Sequence, residues 1–406
     1  MKRATVVIGA NYGDEGKGLI TDAYAASVGA DVLVVRFNGG AQAGHTVVTP
    51  DRRRHVFSHV GSGAFAGAPT FLSRFFVANP ILFNREVAAL ARLGVRPRVA
   101  IDRAAPVSTP WDMLINQTVE ASRGAGRHGS CGIGFGETIE RNLDARYALV
   151  AGDLADGDRL AATLEAIRRD YVPARLARLG LSDRWAGLRD LVMSEVLADS
   201  YKRDVAAFRA GVTLADVARL TNARHVIFEG AQGLLLDQDR GAFPHVTRSN
   251  TGLRNVLTLA QEAGIAALDV TYVTRAYVTR HGAGPLAHAL DGPPSAGARD
   301  ATNVTNNWQG SLRYAWLDLD VLRRAITDDL SDAPTSLPVS HTIAVTCLDQ
   351  VGDRATYVRD GRQCTASPEA LVDAIARAVG TESVMTSIGP TRSDVAPATV
   401  NLRAAA

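Results

Sequence analysis

Apolar residues in this chain gather in short runs bounded by glycine, and between several runs the spacing lengthens to that of a helix. The runs Ala4–Ile8, Val32–Val35, Val99–Ile101, His225–Phe228, Val270–Val273 and His341–Val345 are nearly continuous in apolar character. That is the pattern of strands covered on both faces. Glu86–Leu93 and Gly252–Ala263 are amphipathic with a period near that of a helix. Strands alternating with helices predict an α/β fold, a mostly parallel central sheet flanked by helices. From about residue 154 to about 220 the chain is rich in Arg, Ala and Asp and shows no strand signal, which predicts a helical insertion. The Gly/Pro/Ser-rich stretch Asp291–Gly297 predicts a mobile loop. No repeat and no linker divides the 406 residues, so one domain over 1–406 is expected.

Composition narrows the chemistry. An apolar fraction of 46% supports a large core, and 44 basic against 42 acidic residues leave a net charge of +2. Bulk charge therefore draws in neither nucleic acid nor membrane, and any anion site must be local. The cysteines Cys131, Cys347 and Cys364 form no CxxC pair and no zinc spacing, which suits a reducing, cytoplasmic setting. The opening run Val6–Gly9 is too short to cross a membrane and reads as a buried first strand.

The segment after that strand carries the first chemical signal. Gly9-Ala10-Asn11-Tyr12-Gly13-Asp14-Glu15-Gly16-Lys17-Gly18 precedes a helical pattern, so backbone N–H groups, a helix N-terminus and Lys17 could converge on an anion. The bland alternative is a tight strand-to-helix turn with no ligand. The segment is P-loop-like, but Gly18 stands where a Walker A loop needs Ser or Thr, and Asp14-Glu15 stands where phosphate should lie. A carboxylate there suits an enzyme that removes a proton from a ring nitrogen or holds magnesium.

Five further segments follow in order: Arg36 to Val47; Phe228-Glu229-Gly230-Ala231-Gln232-Gly233, continuing to Thr251; Ala276 to Pro285; Trp316-Leu317-Asp318; and Ile388-Gly389-Pro390-Thr391-Arg392. Together with Gly13–Gly18 this succession resembles the adenylosuccinate synthetase family across nearly the whole chain. The resemblance implies that family's fold and a ligase joining L-aspartate to C6 of a 6-oxopurine nucleoside 5′-monophosphate, driven by a purine nucleoside triphosphate with Mg2+, in a homodimer. It implies Asp14 as the base at N1 and a magnesium ligand, with the Gly44 carbonyl as another. His45 would be the acid at the transferring γ-phosphoryl group, and Lys17 would neutralise its charge. Asn38, Gln42, Ser130, Gln232 and Thr247 would contact the monophosphate, and Arg141 would reach a neighbouring subunit's phosphate. Gly13, Glu15, Gly16, Gly18, Thr46, Asp349, Gly389 and Pro390 would line the triphosphate. Taken singly, His45, Gln232 or Thr247 could equally be satisfied loop residues, and Arg141 a solvated one.

Three departures from the family pattern leave the substrate open. The phosphate loop reads Gly129-Ser130-Cys131-Gly132-Ile133-Gly134-Phe135 and lacks its arginine. The loop that holds aspartate runs from Ala301 to Arg313, where Thr302 and Asn303 keep polar character and Arg313 is the one cation. The base-reading segment is Thr346-Cys347-Leu348-Asp349, without the usual lysine, so ATP or dATP competes with GTP as donor. These features resemble the phage-type 2-aminoadenylosuccinate synthetases, which act on dGMP; retention of Asp14 counts against that subfamily, whose members often carry a small hydroxyl residue there. An unusual purine analogue is a third option, and the setting would be host cytoplasm for a phage protein. A GTPase-like nucleotide switch is the alternative of another class; it needs no aspartate.

Overall fold

The computed structural model describes residues 2–29, 31–298, 300 and 310–400. Ten strands form the central sheet: β1 (Arg3–Gly9), β2 (Val32–Arg36), β3 (Thr70–Leu72), β4 (Val99–Asp102), β5 (Val212–Ala215), β6 (His225–Gly233), β7 (Ala267–Arg275), β8 (Val339–Thr346), β9 (Val384–Ser387) and β10 (Val395–Ala398). Their spatial order is β10-β9-β8-β7-β1-β6-β2-β3-β4-β5. Every neighbouring pair is parallel except β9 with β10. All six runs expected to be strands are strands, and β2 is buried along its whole length, as a central parallel strand must be.

The helices start where local chemistry permits. α1 (Lys17–Val28) follows the first glycine-rich loop, and α2 (Pro80–Arg92) opens with Pro80 after Asn79, whose side chain accepts from Leu82 N. α3 (Pro110–Ser122) has a full capping box between Thr109 and Asp112, and α4 (Phe135–Asn142) follows the Gly129–Gly134 turn. The expected insertion contains α5 (Gly157–Ala166), α6 (Val172–Arg178), α7 (Trp185–Val192) and α8 (Glu195–Gly211). It also contains β5, contrary to the expectation of helix alone. Four residues at a sheet edge, none of them fully buried, leave too short a pattern to separate from the neighbouring helix.

α9 (Arg254–Glu262), α10 (Leu319–Leu330) and α11 (Pro368–Val379) pack with the central strands in one apolar core, while α2, α3 and the insertion helices pack with β3 and β4 in a second. The Asp291–Gly297 loop is tied back where Ser295 Oγ donates to Gln350 O. Because β1, β2, β6 and β7 are parallel, their carboxyl ends emerge on one side, the usual ligand side of such a sheet.

Candidate active site

A cavity of about 470 Å3 opens on that side. Gly13 and Asp14 reach it from the loop after β1, Gln42, Gly44 and His45 from the segment after β2, Gln232 from β6 at its carboxyl end, and Thr247 from the segment after β6. Ser130 enters from the turn between α3 and α4. Asp14 and His45 therefore share one cavity, as the sequence required. Gly13 has φ 117°, and a side chain there would start 3.0 Å from Gln232 Cα; only glycine lets these two loops meet.

The other candidates lie elsewhere. Lys17 sits behind the loop, buried, with Nζ donating to Gly13 O at 2.6 Å and to Glu15 at 3.2 Å. Glu15 accepts from Asn11 N and Gly13 N at 3.1 and 2.7 Å, so its carboxylate already occupies N–H groups that a phosphate would otherwise meet. Asn38 is fully buried, exchanging hydrogen bonds with the backbone of Ala231 and donating to Asn250 O; it fixes the loop that presents Gln232. Gly16 caps α1, Gly18 lies against His45, and Thr46 follows in the strand His45–Val48. Asp349, Gly389 and Pro390 gather just beyond β8 and β9, outside the cavity wall. Arg313 donates to Gly282 O and Gly284 O at 2.8 and 3.0 Å. Thr302 and Asn303 lie outside the described residues.

Arg141 needs correction. It is buried within the subunit, not poised at a neighbour. Its guanidinium makes two hydrogen bonds to Asp112, at 2.8 and 3.0 Å, and also meets Val107 O and Tyr147 O. The sequence signal was only an arginine at a loose distance after a glycine loop, and distance along a helix does not fix which face it takes.

Several functional residues escaped the sequence reading. Glu229 lies in the middle of β6, directly opposite Arg36 at the carboxyl end of β2 in register, and the two form a buried ion pair of 3.2 Å. Its other oxygen is 2.6 Å from His45 Nδ1, and Ser62 Oγ donates to the same carboxylate. Burial alone would raise this carboxyl, but Arg36 and His45 outweigh it and hold Glu229 at about 2. Burial, then Arg36, lowers His45 to about 4 against the pull of Glu229. A neutral ring with its proton on Nδ1, directed at Glu229, leaves Nε2 as a lone pair, and Nε2 has no partner among the described residues. Asp14 is raised by the walls around it, with His281 and Arg275 opposing; its side chain is still 20% open. Arg275 Nε also donates to Asp14 O, fixing the loop. His281 was part of a recognised segment, yet nothing in its spacing announced that it would face Asp14.

A parallel sheet whose carboxyl ends hold glycine-rich loops around an acid and an imidazole defines an α/β nucleotide-using enzyme. The family model described as adenylosuccinate synthetase matches residues 6–375. The adenylosuccinate synthetase of Xylella fastidiosa (strain M23) is 33% identical over 335 residues, 80% of this chain and 74% of that protein. That of Neisseria gonorrhoeae (strain FA 1090) is 34% identical over 337 residues, again 80% and 74%. Among solved structures, fully ligated adenylosuccinate synthetase from Plasmodium falciparum aligns with a TM-score of 0.74 at 19% identity, covering 98% of this chain and 100% of that one. Cyanophage S-2L succinoaminodeoxyadenylate synthetase, bound to dGMP and dATP, aligns with a TM-score of 0.62 at 16% identity, covering 98% and 95%. This chain belongs to the adenylosuccinate synthetase family, and it is a ligase that forms a C–N bond. Among the described residues no helix is long and apolar enough to cross a membrane.

Proposed function

We propose that this enzyme joins the amine of L-aspartate to C6 of a 6-oxopurine nucleoside 5′-monophosphate, after a purine nucleoside triphosphate has phosphorylated O6. The observation that carries the reading is the meeting of Asp14 and His45 in one cavity with Gln42, Ser130, Gln232 and Thr247. Hydroxide is a poor leaving group and phosphate a good one. Asp14 takes the N1 proton, and the electron pair released moves onto O6. O6 attacks the γ-phosphorus, and the bond to the bridging oxygen breaks to release the diphosphate. The aspartate amine then adds at C6, the C6–O6 bond breaks, phosphate departs and the amine loses a proton. The raised Asp14 carboxyl suits a base, since proton transfer is efficient when the two pKa values approach each other.

His45 faces this chemistry through Nε2. With the proton on Nδ1 toward Glu229, Nε2 carries a lone pair, so the ring acts as an acid only after a phosphoryl anion draws a proton onto it. Glu229 behind Nδ1 stabilises the charged ring when that happens. Lys17 acts through the loop, by holding the Gly13 carbonyl, and Arg313 acts by holding the Gly282–Gly284 turn.

The donor set also suits magnesium. Among the described residues no cluster of three His, Cys, Asp or Glu could hold a resident metal. Asp14 and Gly44 nevertheless place one carboxylate and one peptide group on the cavity wall. Magnesium commonly takes one or two protein oxygens and completes its shell with water and substrate phosphate. When bound it would neutralise charge on the transferring phosphoryl group. A homodimer in the cytoplasm belongs to this reading, with Arg141 no longer the residue shared between subunits.

The test is a matrix of IMP, GMP, dIMP and dGMP against ATP, dATP and GTP, each with L-aspartate and Mg2+, read as the mass of the succinylated nucleotide. Product that depends on all three substrates supports the proposal. Triphosphate hydrolysis that ignores aspartate and monophosphate in every combination would overturn it.

A further inference from the structure

The acceptor in the proposed reaction, on which this step rests, carries a dianionic 5′-phosphate, and that group needs a cation. Lys17 and Arg141 are committed elsewhere, to Gly13 O and to Asp112. Ser130 and Thr247 bring hydroxyl groups to the cavity, and Phe135, Gly136 and Glu137 bring the amino end of α4. Hydroxyls and a helix N-terminus suit a phosphate, but they supply no full charge.

Three arginines lie on the cavity wall: Arg123, Arg248 and Arg280. Arg280 is buried, donates to Pro285 O at 2.6 Å and His245 O at 3.1 Å, and lies over the Tyr12 ring. Arg123 pairs with Glu120, whose side chain is 1% exposed, so its departure would strand a buried carboxylate. Arg248 differs. It follows Thr247 directly, its side chain is 39% exposed, and among the described residues its one hydrogen bond runs from Nη1 to Glu140 of α4. Glu140 is itself 22% exposed and lies 3.3 Å from Arg175 of α6. Arg175 also gives two hydrogen bonds to Glu137, at 2.8 and 3.1 Å, which balances that carboxylate on the cavity wall. An exposed pair such as Arg248 with Glu140 contributes little, and Glu140 keeps a cation when Arg248 leaves. The backbone beside Arg248 is meanwhile fixed. Thr247 N donates to Leu236 O at 2.8 Å, and Ser249 O accepts from Gln238 N at 3.1 Å. Only the side chain has to turn.

We propose that Arg248 reads the 5′-phosphate of the monophosphate, exchanging Glu140 for the phosphate oxygens when the nucleotide enters. A guanidinium binds phosphate through paired N–H donors, and the single bond to Glu140 leaves most of these donors available. Glu140 thereby competes with the substrate for Arg248 and sets how tightly the monophosphate is held.

The experiment compares the full-length protein with Arg248→Gln, Arg248→Lys and Glu140→Gln. Calorimetry without triphosphate gives Kd for IMP and GMP, and steady-state rates give KM for triphosphate and aspartate. Arg248→Gln should weaken IMP and GMP alike, about tenfold or more, the scale of one lost charge-assisted hydrogen bond. The other two KM values should stay near wild type, and Arg248→Lys should recover part of the loss. Glu140→Gln frees the arginine and should tighten both monophosphates, the opposite of what loss of a merely structural pair would do. Monophosphate Kd values unchanged in Arg248→Gln, or not tightened in Glu140→Gln, overturn the inference and leave the ligase reading intact. Arg248-dependent binding with no succinylated product in any substrate combination overturns the ligase reading alone. If neither monophosphate binds the wild type, both fall.

Discussion

Glu229 Oε1 lies 2.6 Å from His45 Nδ1, while Oε2 of the same carboxylate lies 3.2 Å from Arg36. All three groups are buried, and the carboxylate is what lets an imidazole and a guanidinium lie side by side in the core. Removing it leaves Arg36 as an uncompensated charge. Glu229→Gln should therefore cost about 3–5 kcal/mol of stability, the usual penalty for breaking a buried ion pair. Turnover should fall further than the loss of folded protein explains, because His45 loses the group that would stabilise its charged form. Denaturant melts combined with kcat per folded molecule check both parts; an unchanged midpoint would refute the ion-pair account.

Asp14→Asn keeps the shape of the cavity wall and removes the base. General-base catalysis contributes roughly 10²–10⁴-fold, so kcat should fall by about that factor while the monophosphate still binds. Single-turnover rates with parallel calorimetry separate the two. Wild-type rates in the variant would show that N1 loses its proton elsewhere.

Arg141→Met tests the corrected placement. Breaking the buried pair with Asp112 should lower stability by about 3–5 kcal/mol, and KM for the monophosphate should stay near its wild-type value in the protein that remains folded. A raised KM with an unchanged melting temperature would restore the view of Arg141 as a substrate contact.

Asp329 gives a pH-dependent prediction. Burial raises its carboxyl to about 6, against the hydrogen bonds from Leu253 N and Tyr272 OH. A folded value above the ordinary one of 3.8 means that the native state binds the extra proton. The associated stability is present below about pH 4 and lost as the pH rises through about 6. Asn at this position has no charge to bury. The melting temperature of Asp329→Asn relative to wild type should thus climb from pH 4 to pH 8, by the equivalent of about 3 kcal/mol at most. Asp22, also raised to about 6 by burial, keeps a residual slope in both proteins. Parallel curves across this range would sink the assignment.

The sheet was legible in the sequence because parallel strands buried on both faces carry nearly continuous apolar runs, and β1, β2, β6, β7 and β8 each hold one. β5 was not, since a short edge strand buries too little to shape its composition. Asp14 and His45 could be expected in one cavity because each follows a strand whose carboxyl end opens on the same side. The direction of Lys17, Arg141 and Arg313 was hidden. A long cation's target is set by which carbonyl or carboxylate folding brings near it, and Gly13 O, Asp112 and Gly282 O are long-range or conformational facts. His281 meets Asp14 across 267 positions for the same reason.

Glu15 gives the first loop an internal counter-anion. Its carboxylate takes the N–H groups of Asn11 and Gly13 and a contact from Lys17, so the turn is already charge-balanced before any nucleotide arrives. A loop assembled in this way has little conformational entropy left to lose, and occupancy by substrate should add almost nothing to its protection from hydrogen exchange.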